Sequence, residues 1–131
     1  MEPTTGLKIM YLSAFVGAGI VGAITLLMPG LAAKYVFAGA VEVNVYMRIL
    51  GSVWLALGAL AMLGLQSPMA YIPILLIQLA YKSAWLVFAA YPALLAGNRE
   101  TGLIFLTVLF TVWVYALLML VPIRASLPVH A

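Results

Sequence analysis

The chain contains no cysteine, one histidine and three acidic residues. The first absence excludes disulfides, thiolate-bound zinc and iron–sulfur clusters, and says nothing of compartment. The single histidine, His130, lies beside the last residue, which excludes an intramembrane haem held by histidines. Glu2, Glu42 and Glu100 all fall outside the long apolar runs. Those runs therefore hold no carboxylate pair and no His/Cys/Asp/Glu cluster, so neither acid–base chemistry of that kind nor a metal site is expected. Gly17 and Gly19 stand inside an uninterrupted apolar run, so they are not a phosphate-binding loop. Charge is scarce altogether. Only 7% of residues are charged, against about 25% in an ordinary soluble domain. The net charge of +3 is too thinly spread to suggest nucleic acid.

What the chain has is apolar length. It is 67% hydrophobic over 131 residues, enough for four membrane spans of about 20 residues each and short connections. The expected fold is all-α, a four-transmembrane-helix up-down bundle of one domain, with spans at about 9–28, 45–65, 69–95 and 101–121. Breaks at Pro29-Gly30, Gln66-Ser67-Pro68 and Gly97-Asn98 separate them. The turn at 66–68 is short, which makes the second and third spans antiparallel neighbours. The start of the chain lacks a basic n-region, and its first apolar run is too long for a signal h-region. That run is expected to be a retained helix. Four spans put both termini on one side. Lys8 and Arg124 on that side, against Lys34, Arg48 and Arg99 on the other, do not fix orientation.

Between the first two spans, Leu31 to Asn44 is too short and too mixed to cross. Leu31 to Phe37 is expected to form an amphipathic turn or two at the interface, with Lys34 among headgroups and Tyr35 and Phe37 in the aromatic belt. Gly39 allows a turn after it. In the first span, Ala14, Ala18 and Gly22 recur every four residues, a spacing that lets helix backbones approach within the bundle or across a homodimer. In the second, Gly51 and Gly58 share a face, and Trp54 sits deep enough to pack internally. Arg48, in its first turn, either snorkels to headgroups or pairs with Glu42.

Lys82 stands apart. It lies in the middle of the third apolar run, where a charge costs about 2.5–3.5 kcal/mol on insertion scales and so faces a protein interior. Gln78 is four residues before it and Trp85 three after, on one helical face. In the fourth run, Thr107, Thr111 and Tyr115 recur every four residues at matching depth. Two readings of that stripe are open. The hydroxyls bond back to their own helix, or they face Lys82 and join Gln78 and Trp85 in a polar site for a ligand or partner. Such a site can hold an anionic lipid, a quinone oxygen or another subunit's carboxylate.

Leu27 to Phe37, followed by Arg48-Ile49-Leu50-Gly51 and a helix rich in small residues, resembles DoxX-like small four-helix membrane proteins of prokaryotes. The run from Gln78 to Leu86 also looks like uncharacterised bacterial membrane proteins with Gln-Leu-x-Tyr-Lys-Ser-x-Trp-Leu. The resemblance implies the four-helix architecture and a prokaryotic cytoplasmic membrane. A named member of the group is similar to a membrane subunit of a thiosulfate:quinone oxidoreductase. With no reactive residue set, the expectation is a non-catalytic accessory or scaffolding subunit, with a membrane partner or a second copy beside it and no cofactor. The alternative is a binder or carrier of a small lipid, quinone or anionic molecule around Lys82.

Overall fold

Four long helices run through the computed structural model, which describes residues 3–37, 39 and 42–121. They are α1 (Thr4–Leu27), α3 (Val45–Gln66), α4 (Ile72–Leu95) and α5 (Thr101–Leu120), each long and apolar enough to cross a membrane. A short helix, α2 (Pro29–Tyr35), lies between α1 and α3. The described residues contain no strand. Arg124 and His130 lie outside them.

The helix ends follow from local chemistry. Pro29 starts α2, where its missing N–H would have no partner in any case. Asn44 caps α3, its side chain accepting from the Met47 N–H at 2.9 Å. Gly97, at φ +99°, closes α4. Its N–H reaches Leu94 O and that of Asn98 reaches Ala93 O, the paired bonds of a Schellman ending that a left-handed glycine allows. α1 begins earlier than its apolar run suggests, because Leu7, Met10 and Tyr11 bury one face while Lys8 stays exposed. Met69 to Tyr71 form a turn, so α4 begins later, at Ile72.

Two spans contain a widened π turn, at Phe15–Ile20 in α1 and Leu86–Ala90 in α4. The second has a local cause. Pro92 has no N–H to give to the preceding turn and its ring crowds the carbonyl four residues back. The wide turn, with Tyr91 N–H on Leu86 O, relieves that crowding. The first π turn alters which residues of α1 meet its neighbour. One extra residue in a turn rotates the rest of the helix by about 100°. The expected stripe of small residues does face α3, with Gly19 added to it. Ala14 is buried in the core with Ala61 of α3, and Ala18 is half-buried with its backbone against Gly58. Gly19 and Gly22 press against Gly58 and Gly51 of α3, backbone on backbone.

The helices pack in a ring, α1 on α3, α3 on α4, α4 on α5, and α5 back on α1. Gly6 lies against the Leu120 carbonyl, so α1 begins where α5 ends and the bundle runs up and down. Tyr11 ties this end together. Its hydroxyl donates to Pro68 O at 2.8 Å, and its ring lies on Gly64. Around it Leu7, Met10, Ile72, Leu75 and Leu117 are buried to 2% exposure or less. The α1–α5 contact is concentrated in the first half of α1, residues Pro3–Ala14. Beyond it the two helices part.

Candidate functional site

Lys82 occupies the space that opens where α1 and α5 part. It is only 6% exposed, and Gln78 is fully buried. A four-residue step on a helix stacks one side chain over the other, and the Lys82 ammonium donates to Gln78 Oε1 at 3.1 Å. The rest of its surroundings are aromatic. Nζ lies 3.7 Å from the ring centre of Trp113, 5.3 Å from Phe110 and 5.8 Å from Tyr81. The faces of these rings carry the negative lobe of the quadrupole and attract a cation. An ammonium has three hydrogens, and the single Gln78 bond engages one of them. Gln78 Nε2 is buried without a hydrogen-bond partner, an arrangement that native interiors tolerate rarely. The described acidic residues, Glu42 and Glu100, are both exposed.

Trp113 does two things at once. Its face supports Lys82, and its indole N–H donates to Ser13 Oγ across the gap to α1, at 3.1 Å. The Ser13 hydroxyl donates in turn to Met10 O at 2.7 Å. On the loop side of this bridge lies a cavity of about 360 Å³, with Lys82 on its inner wall. Ser13, Gly17 and Val21 line it from α1, Phe105 and Leu109 from α5, and Tyr35 and Val36 close over it. A second cavity, of about 320 Å³, lies toward Glu100 and is lined by Phe37, Trp85 and Gly102. Trp54, Tyr81, Leu106 and Phe110 border both and form the partition.

The residues expected at the site divide into two groups. Gln78 and Lys82 meet as their spacing indicates. Trp85 does not touch the ammonium but packs edge-on against Phe110, at 5.4 Å and 71°, in the second cavity. The hydroxyl stripe does not converge on Lys82. Thr107 bonds back to Leu103 O at 2.6 Å. Thr111 shares a 2.7 Å hydrogen bond with Tyr91, and Tyr115 is 63% exposed. The reason is rotational. Residues four apart drift around a helix of 3.6 residues per turn, and the face of α5 toward Lys82 is instead Leu106, Phe110 and Trp113. These stand at i, i+4 and i+7, the helical core spacing, so the signal was present but apolar.

Glu42 and Arg48 are exposed, and no ion pair joins them among the described residues. The Glu42 carbonyl accepts from Asn44 Nδ2 at 3.1 Å. Phe37, expected in the aromatic belt, turns inward and stacks on Trp54 at 6.1 Å and 13°, while its carbonyl lies against Gly102. Lys34 and Tyr35 of that segment are exposed, the ammonium 5.2 Å from the tyrosine ring. Trp54 itself is 6% exposed. Trp113, Ser13, Phe110 and Tyr81 are the members of the site that reading by polarity passed over. No protein-family model, curated protein or solved structure matches the chain.

Proposed function

We propose that this chain is a non-catalytic, multi-pass protein of a prokaryotic cytoplasmic membrane that binds a small amphiphile inside its bundle. Lys82 meets the polar head and the aromatic wall meets the apolar body. One observation carries the reading. A lysine at mid-span, held by a single side-chain acceptor, borders a cavity of about 360 Å³, within the roughly 300–1,000 Å³ range of small-molecule sites. A lysine kept only for packing is expected in a filled interior. Mass spectrometry of the intact protein released from mild detergent is the test. The parent should carry a retained small molecule, and Lys82→Met should be folded and empty. A parent that is always empty, or a Met variant that keeps the same adduct, would count against the proposal.

A second reading is an accessory subunit of a larger membrane assembly, in keeping with the DoxX-like resemblance. The observation that favours it is α5, the most apolar of the four spans and the least buried. Its outer face, with Val108, Val112, Leu118 and Met119 bare, suits lipid or another helix. The same mass measurement separates the readings, since a subunit appears with its partner and a lone binder appears with an adduct.

A further inference from the structure

Which amphiphile fits, and how it arrives, are questions that rest on the amphiphile-binding reading. The cavity at Lys82 is not sealed. Its rim residues Ser13 and Gly17 on α1 and Phe105 and Leu109 on α5 are all exposed. They lie on the flanks of spanning helices, where lipid is the solvent. One end of this opening is closed by the Trp113–Ser13 hydrogen bond and the other by Tyr35 and Val36. What remains is a slit between α1 and α5 at the depth of Lys82. A Cβ on Gly17 would meet nothing within 4 Å, so the slit is open beside this glycine and has room for a larger side chain.

We infer that the occupant is a single-chain amphiphile with a monoanionic head, such as a long-chain carboxylate, entering sideways from the bilayer through this slit to meet Lys82. Charge selects the head. The exposed Glu42 and Glu100 give the ammonium no buried counter-charge, and a charge at mid-span is costly unless it finds a partner. A monoanion completes a neutral pair. A dianionic phosphate leaves one charge over, and a neutral carbonyl compound leaves the ammonium uncompensated. Volume selects the tail. About 360 Å³ is near the lower limit for a ligand site, so it takes the head and part of one chain while the remainder lies in the slit. A lipid with two chains at one head does not fit a slit bounded at both ends.

The test uses the full chain in lipid nanodiscs and reads tryptophan fluorescence, since Trp54 and Trp113 line the cavity. The probes are dibromostearic acid, at a pH where it is ionised, and the alcohol of the same chain, because bromine quenches indole at contact. The acid should quench at a lower mole fraction than the alcohol, by about tenfold to a hundredfold for a charged hydrogen bond. Lys82→Met should erase that difference. Gly17→Phe should weaken quenching by the acid with the melting temperature unchanged. Should that variant melt early, Leu109→Trp narrows the slit from the other side and is read in its place by mass spectrometry of bound acid. Equal quenching by acid and alcohol in the parent would overturn the monoanionic head. A plugged slit that binds as the parent does would overturn the lateral route alone. An acid preference that survives Lys82→Met would remove Lys82 as the anchor, and the binding reading with it.

Discussion

The two ends of this bundle are built differently. At the end where α1 begins and α5 stops, Leu7, Met10, Tyr11, Ile72, Leu75 and Leu117 fill the interior. At the other end the interior holds two cavities, of about 360 and 320 Å³, with a lysine and a partition of aromatic rings. In a bilayer the lipid tails are as apolar as leucine, so helices gain little by hiding apolar surface from lipid and associate through close packing and hydrogen bonds. The filled end has both, in the interdigitated core and the Tyr11–Pro68 bond. The hollow end is held from its edges, by the glycine seam between α1 and α3 and by the Trp113–Ser13 bond. A membrane bundle thus keeps a cavity by concentrating its cohesion elsewhere.

The sharpest way to break this contrast is at the seam. A Cβ on Gly58 would run into the backbone of Gly19, and backbone cannot move aside as a side chain can. Gly58→Val should destabilise by about 3 kcal/mol or more, at or beyond the top of the usual overpacking range, read as thermal unfolding in detergent. Next comes a paired truncation. Leu75→Ala in the filled end should cost about 2–3 kcal/mol, the lower part of the range for buried leucines, because the transfer component is weak in lipid. Leu109→Ala at the rim of the cavity should stay within about 0.5 kcal/mol. Equal losses at the two sites would mean that the hollow end is packed after all.

Smaller effects sharpen the comparison. Removing Lys82 alone also strips Gln78 Oε1 of its donor, so the single Met variant should be close to neutral in stability while losing the proposed amphiphile. The double variant Lys82→Met with Gln78→Leu removes the unpaired polar atoms together. It should raise stability by about 1–2 kcal/mol, because a buried charge without a counter-ion and an unpaired amide are both replaced by apolar groups. Tyr11→Phe should cost about 1 kcal/mol for the lost bond to Pro68. Thr111→Val should cost about 0.6 kcal/mol or less, the scale of interhelical hydrogen bonds in membranes, and leave ligand retention unchanged. A loss of ligand there would restore the hydroxyl stripe to the site.

The architecture was legible because the bilayer imposes it. Apolar runs of fixed length between Pro29-Gly30, Gln66-Ser67-Pro68 and Gly97-Asn98 leave few other folds. Within one helix the reading also held. Gln78 and Lys82 meet because a four-residue step is local geometry. Between helices it did not. Which residues of α5 face Lys82 depends on the rotation of α5 about its axis, and a span apolar on all sides carries almost no rotational signal. Thr107 and Thr111 drew attention by polarity, while the facing ring, Trp113, is polar only at its N–H. The inward turn of Phe37 onto Trp54 was hidden for a related reason. Aromatic residues near a span end serve equally as belt or as plug.

The π turn at Phe15–Ile20 makes α1 two helices out of phase on one axis. The stretch before it meets the core and α3 through Leu7, Met10, Tyr11 and Ala14, and the stretch after it meets α3 through Gly19 and Gly22. The natural unit of variation here is then a single residue gained or lost, not a side chain exchanged. Deleting Val16 removes the extra residue that the wide turn absorbs, so the turn becomes α-helical and Gly19 and Gly22 stay against Gly58 and Gly51. Adding one more residue there has the opposite result and swings both glycines off the seam by about 100°. The seam and the slit would then be lost in one step, since both depend on the same register.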